Sequence, residues 1–202
     1  MSVSVEFHFD FGSPNSYYSH RVIPAIEERT GVKFQYYPIL LGGVFKATNN
    51  KSPMEQLAGV RNKPEYNALE TKRFVARHKL DNFRFNPYFP INTLSIMRGA
   101  IYTLNNGNGD DYIEAMYQCM WEQELNMADA SIIQQALVDA GLPAEEIIVG
   151  TTDPEIKQQL IRNTTDSVER GTFGSPTFFV GKEIFFGKDK LRDVEEEILE
   201  CL

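Results

Sequence analysis

The sequence predicts an α/β fold in which both ends of the chain contribute strands and nearly everything between them is helical. Three observations predict it: period-two alternation near the start, helical periodicity from about residue 53 to 171, and a second pair of strand signals only after residue 176. The element order is therefore βαβ, a helical block, then ββα.

Residues 3 to 11 set Val3, Val5, Phe7, Phe9 and Phe11 against Ser4, Glu6, His8 and Asp10, the alternation of a strand. His8 falls on the polar phase, so a surface or second-layer position is expected for it rather than a catalytic one. Gly12 breaks the strand, and Ser13-Pro14 opens a helix, since Ser suits an N-cap and Pro the first helical position. Tyr17, Tyr18, Val22, Ala25 and Ile26 form the stripe of that helix, and Gly31 closes it. Val32, Phe34 and Tyr36 predict a second strand, completing a βαβ unit over residues 3–38.

The helical block has marked boundaries: Pro64 at one start, Asn92 as the cap of 93–105, and Gly107-Asn108-Gly109 as a turn. Asp129 caps 130–140 ahead of Gly141, and Asp153-Pro154 opens a long helix that Gly171 ends. Strands return at Thr177–Val180 and Ile184–Phe186, joined by Gly181-Lys182 in a tight hairpin. A last helix is expected over 188–201. This order is that of the thioredoxin scaffold, with residues 1–40 and 172–202 as the thioredoxin-like domain and 41–171 as an all-helical insertion.

Composition narrows the function classes. At 202 residues and 42% hydrophobic, the chain can bury a core without disulfides or metals. A net charge of -8 with no run of Lys or Arg argues against a nucleic-acid partner, and Glu195-Glu196-Glu197 reads as a solvated helix face. No stretch approaches the ~18 apolar residues of a membrane span. The N-terminus shows no basic segment followed by an apolar one, so a cytoplasmic location is expected. Cys119 and Cys201 form no CxxC pair and fall in helical patterns, which predicts buried, reduced thiols. The three histidines, His8, His20 and His78, are dispersed and no Cys or His residues cluster, so no metal site is expected.

Three constellations could carry chemistry. In Phe9-Asp10-Phe11-Gly12-Ser13-Pro14-Asn15-Ser16-Tyr17 a hydroxyl stands where a strand hands over to a helix N-terminus, a place that favours an anion. In Gly171-Thr172-Phe173-Gly174-Ser175-Pro176-Thr177 a proline directly precedes an apolar strand, making Ser175-Pro176 a candidate cis peptide. Phe186-Gly187-Lys188-Asp189-Lys190-Leu191 is a charged helix start. Each has an ordinary structural explanation: an N-cap for Ser13, a trans proline opening a strand, and a helix-start carboxylate for Asp189.

Taken together, the segments FDFGSPNSYYS, LLGGVFKATNNKSP, NPYFPINTL, FGSPTFFV and FFGKDKL resemble the DsbA-like superfamily. Within it they resemble the kappa-class glutathione transferases and the 2-hydroxychromene-2-carboxylate isomerases, over nearly the whole chain. In DsbA-like oxidoreductases the active dithiol occupies the helix start held in this chain by Ser13-Pro14-Asn15-Ser16. Both cysteine positions are serine, so thiol–disulfide exchange at this site lacks its nucleophile and its leaving group.

The resemblance implies a glutathione site, in which Ser13 donates a charge-assisted hydrogen bond to the glutathione sulfur and favours its thiolate. The backbone of Ser175, before Pro176, would pair with the cysteinyl unit, and Lys188-Asp189 would take the γ-glutamyl end. Asn49 or Asn50 would reach glutathione from the first long loop.

The motifs lean towards the isomerases of aromatic catabolism, which interconvert 2-hydroxychromene-2-carboxylate and trans-o-hydroxybenzylidenepyruvate. For that anionic substrate Lys46 would hold the carboxylate, with Asn92 as a positioning amide and Arg84 as a further cation. Phe45, Tyr88, Phe89 and Pro90 would wall the cleft, although core packing explains such aromatics as well. The alternatives are a kappa-class-like transferase, which consumes glutathione, and a non-enzymatic DsbA-like binding module. The resemblance also implies a homodimer.

Overall fold

The computed structural model describes residues 3–202. Its sheet has the order β2-β1-β3-β4, formed by β1 (Val5–Phe9), β2 (Phe34–Pro38), β3 (Thr177–Val180) and β4 (Glu183–Phe186). β1 runs parallel to β2, with Phe7 opposite Tyr36, and antiparallel to β3, with Phe7 opposite Phe178. The far side of the sheet closes as an antiparallel β3–β4 hairpin. The chain has the DsbA-like thioredoxin fold, with its four strands at the two ends and many helices between.

The alternation in β1 works because its two faces meet different neighbours. Phe7 stacks on Phe178 at 5.3 Å, and Phe11 meets Tyr117 edge-on at 4.9 Å. On the opposite face His8 is wholly buried, stacked on Tyr37 at 4.3 Å and hydrogen-bonded through Nδ1 to Ser167 Oγ at 2.8 Å. A surface position for His8 is thus corrected to a buried second layer, because α9 (Pro154–Glu169) covers the polar face of the strand.

α1 (Pro14–Thr30) begins at Ser13 and ends at Gly31, whose φ of 70° takes the left-handed cap that glycine adopts without strain. The second strand is displaced from the expected Val32–Tyr36 to Phe34–Pro38, and Glu27 Oε1 accepts the Phe34 N–H as the strand starts. Between β2 and β3 lie α2 (Leu41–Thr48), α3 (Pro53–Leu57), α4 (Lys63–His78), α5 (Leu94–Asn106), α6 (Gly109–Trp121), α7 (Ala130–Asp139), α8 (Ala144–Gly150) and α9.

α5 and α6 pack closely because position 99 has no side chain. A Cβ on Gly99 would sit 2.1 Å from the Tyr112 hydroxyl oxygen, which instead donates to Ile96 O at 2.9 Å. Trp121 ties the block to the end of β1, its indole N–H donating to Phe11 O at 2.8 Å. α3 and the first half of α4 present mostly exposed residues, Tyr66 and Leu69 among them; Phe74 is the buried anchor of α4.

Three sequence expectations shift locally. The helix expected from Asn92 starts one residue later, with Thr93 in the cap position and Asn92 before it. The last helix starts as a 3-10 turn at Lys188–Lys190, followed by α10 (Leu191–Glu200). Cys119 is buried as expected, but Cys201 is exposed, because it lies past the last turn of α10 at the end of the chain. No helix among the described residues is long and apolar enough to cross a membrane.

Candidate active site at the start of the first helix

Ser13 sits in extended geometry, φ -96° and ψ 113°, which turns its side chain back over the first turn of α1. Its Oγ accepts the Ser16 N–H at 3.2 Å and donates to the carbonyl of Ser175 at 2.9 Å. The Ser175–Pro176 peptide is cis, as expected; Phe89–Pro90 is cis too. One hydroxyl thus joins the helix start to the loop ahead of β3, although 162 positions separate the residues.

A second hydroxyl link lies beside the first. Ser175 Oγ donates to His8 O at 3.3 Å, so its 2.8 Å contact with Ser16 Oγ uses the Ser16 proton. Ser16 is fully buried and Ser13 is only 5% exposed. The two serines at the ends of the Ser13-Pro14-Asn15-Ser16 turn therefore differ in degree: Ser16 has no exposure, while the buried Ser13 keeps a small exposed edge. Pro14 has no N–H, and the Ser16 and Tyr17 N–H groups turn back to Ser13 O at 3.1 and 3.2 Å. Among the described residues the Asn15 N–H is left without a partner at this positive end of the helix.

Beneath this junction lies Asp10, a residue whose alternation in the sequence marks it only as part of the polar phase. It is buried, and its carboxylate accepts Gly12 N at 2.8 Å, Leu41 N at 2.7 Å and Thr93 Oγ at 2.7 Å. It thereby gathers the end of β1, the start of α2 and the start of α5. Burial pushes its carboxyl pKa up, and the three donors pull it back. The available signal was position: an acid three residues ahead of the helix cap, directly after the first strand.

The structure separates the two loop asparagines. Asn49 is the exposed, left-handed C-cap of α2, at φ 54°. Asn50 instead donates from Nδ2 to Phe173 O at 2.7 Å and accepts Lys51 N and Gln56 Nε2, so it ties the loop after α2 to the segment carrying Ser175. Gly174 in that segment has Phe186 against it; a Cβ there would stand 2.7 Å from the ring.

Lys188 and Asp189 have unequal surroundings. The Lys188 side chain is 6% exposed and Asp189 72%. Lys188 Nζ donates to both Asp189 oxygens, at 2.7 and 2.8 Å, and lies 5.0 Å from the centre of the Phe74 ring. Asp189 thus already holds one ammonium, and its exposed side can accept from another, since a carboxylate has about four lone-pair directions.

The three expected substrate residues are all exposed. Lys46 occupies the last turn of α2. Arg84 donates to its own loop, at Asp81 O and Phe83 O, both 2.8 Å. Asn92 accepts Leu94 N at 3.0 Å, a local bond from the residue before the Thr93 cap. The fold joins Ser13 to Ser175 directly but shows no contact between that pair and these three.

The thiols lie elsewhere. Burial raises Cys119 to about 11, and Cys201 is also held above its ordinary range, burial leading and nearby Glu197 adding to it. Neither is poised as a thiolate.

Fold and site together define a thioredoxin-fold protein with serines where that scaffold carries its redox dithiol. The chain belongs to the DSBA-like thioredoxin domain family, which matches residues 4–199. Among its relatives is a 2-hydroxychromene-2-carboxylate isomerase of Sphingobium xenophagum, 26% identical over 99% of this chain and 100% of that one. Another is glutathione S-transferase kappa 1 of Homo sapiens, 23% identical over 93% of this chain and 87% of that one. A solved 2-hydroxychromene-2-carboxylate isomerase has a TM-score of 0.83 at 21% identity, covering 98% of this chain and 95% of that one. The similarity to proteins of that name supports membership of an isomerase family.

Proposed function

We propose that the chain is a glutathione-dependent isomerase interconverting 2-hydroxychromene-2-carboxylate and trans-o-hydroxybenzylidenepyruvate. The observation that carries this reading is the Ser13–Ser175 junction, a hydroxyl at a helix start hydrogen-bonded to the residue before a cis proline. It stands where a dithiol would serve redox chemistry, in a chain with relatives named for this isomerase.

The residues present fit a thiolate at the helix start. The unpartnered Asn15 N–H and the Ser13 hydroxyl are both donors there, and the helix dipole adds to them. The chemistry that glutathione would supply is reversible conjugate addition of its sulfur to the alkene, which lowers the bond order long enough for rotation and returns the thiol unconsumed. Ser13 has a single hydroxyl proton, which it donates to Ser175 O, and turning that proton towards a sulfur anion would depress the thiol pKa. Ser175 backbone, Asn50 and Asp189 would hold the tripeptide, with the Lys188–Asp189 pair opening enough to admit a second ammonium. Lys46, Arg84 and Asn92 would face the carboxylate substrate.

A kappa-class-like transferase is the second reading, favoured by the human relative at 23% identity. Assay with substoichiometric glutathione separates the two. The isomerase reading expects many turnovers per glutathione and an unchanged free-thiol count. Turnover that stops once glutathione is consumed would replace it with the transferase, and no turnover with either substrate type would remove both.

A further inference from the structure

A cavity of about 410 Å³ opens where α2, the start of α5 and α9 meet. None of Ser13, Ser175, Pro176 or Asp189 lines it, so it is separate from the candidate active site. Leu40, Leu94, Leu160 and Ile161 make its walls largely apolar, and Arg98 and Lys157 bring two cations into it. Ile161 is 56% exposed although it lies on this wall.

The notable group is Arg98. Its Nε is buried and has no hydrogen-bond partner, and no carboxylate lies within ion-pair distance of its guanidinium among the described residues. The shielded Nε is out of reach of a ligand, but the two terminal guanidinium nitrogens also have no protein acceptor among the described residues and are not buried, and the group that pairs best with them is an anion. Two cations in one apolar groove also stand out against a net charge of -8 for the chain. Glu169, the one acid on the lining, lies about three turns along α9 from Lys157, roughly 18 Å away. A ligand extending that way would carry charge at one end only, since a second anionic group would meet Glu169. The volume falls within the range of small-molecule sites.

We propose that this groove binds an elongated apolar monocarboxylate, its carboxylate on Arg98 with Lys157 assisting and its hydrocarbon part along Leu160 and Ile161. The inference is independent of the isomerase reading.

Isothermal titration calorimetry with decanoate tests it, with decan-1-ol as the neutral counterpart of equal length. Saturable 1:1 binding of decanoate is expected, at least tenfold tighter than the alcohol. Arg98→Met should weaken decanoate tenfold or more, Arg98→Lys less, and Lys157→Met by a few-fold. Saturating glutathione and Ser13→Ala should leave decanoate affinity unchanged. Circular dichroism checks that the variants fold; should Arg98→Met not fold, the acid–alcohol comparison and Lys157→Met still decide. Absence of saturable binding, equal affinity for acid and alcohol, indifference to Arg98, or displacement by glutathione would each overturn the proposal. So would sedimentation showing that decanoate binds only dissociated chains, which would assign the groove to a second copy.

Discussion

The Ser13–Ser175 junction and the exposed residues proposed to meet ligand outside it are built on opposite principles. At the junction, Ser16, Ser175 and Asp10 are buried and each polar side chain has named partners. Lys46, Arg84, Asn92 and Asp189 are exposed, and three of them are tied to a neighbour in their own segment rather than to the junction. A buried polar group must be satisfied by the fold, so its position is fixed. An exposed one has water as an alternative partner and gains its role only when a ligand arrives. The comparison teaches that the part of the site that would handle a reactive sulfur is preformed, whereas the part that would choose the substrate is not.

The largest expected effect lies deepest. Asp10→Ala leaves two backbone N–H groups and the Thr93 hydroxyl without their acceptor, which should cost roughly 3 kcal/mol or more of stability. Urea unfolding measures it; a loss below about 1 kcal/mol would show that the junction is not held from beneath.

Ser13→Ala tests the top of the same junction. It removes one hydrogen bond to a charged sulfur, worth roughly 1.5–3 kcal/mol, so turnover near neutral pH should fall about tenfold or more. Ultraviolet thiolate absorbance of bound glutathione should show its ionisation moving to higher pH. The Asn15 N–H survives the change, and residual activity is expected for that reason. An unchanged rate and an unchanged ionisation would reduce Ser13 to a helix cap.

Among the outlying residues, Asp189→Asn should raise the KM for glutathione by several-fold, up to roughly tenfold, with kcat little changed. Lys188→Met frees the same carboxylate and should leave that KM unchanged or lower it. If Asp189→Asn instead lowered kcat alone, the division between preformed chemistry and adaptable binding would fail.

The smallest effect belongs to the far face of β1. Hydrogen bonding from His8, with Arg170 adding to it, lowers Glu6 to about 2, and burial lowers His8 below its ordinary range of 6.5. Both folded values lie below the unfolded ones, so both groups contribute stability that is present at neutral pH and lost on acidification. The loss should begin below about pH 6.5 as His8 titrates in the unfolded chain and steepen from about 4.5 towards 2 through Glu6. Glu6→Gln should flatten the lower part of that curve while costing about 1 kcal/mol near neutral pH. Urea midpoints as a function of pH check this, and an equally steep acid limb in the variant would clear Glu6 of the effect.

Much of this was legible in the residues themselves. Alternation marked β1, caps and glycines marked α1, α7 and α9, and the hairpin at Gly181-Lys182 was signalled by its turn. These features are local: the period of apolar residues and the backbone preferences of Ser, Pro and Gly act within a few positions. The serines at the α1 start were also visible, together with the redox chemistry they rule out.

What required the tertiary structure was every property set by a distant segment. His8 is polar in phase yet buried, because α9 arrives from 159 positions away to cover it. Asp10 became the support of the junction only when Leu41 and Thr93 converged on it. Asn50 parted from Asn49 through a bond to Phe173, and Lys188 paired with Asp189 under the cover of Phe74. Periodicity reports which face of an element is apolar, but the partner that satisfies a buried polar atom is chosen by packing between elements, and that choice leaves no local trace in the sequence.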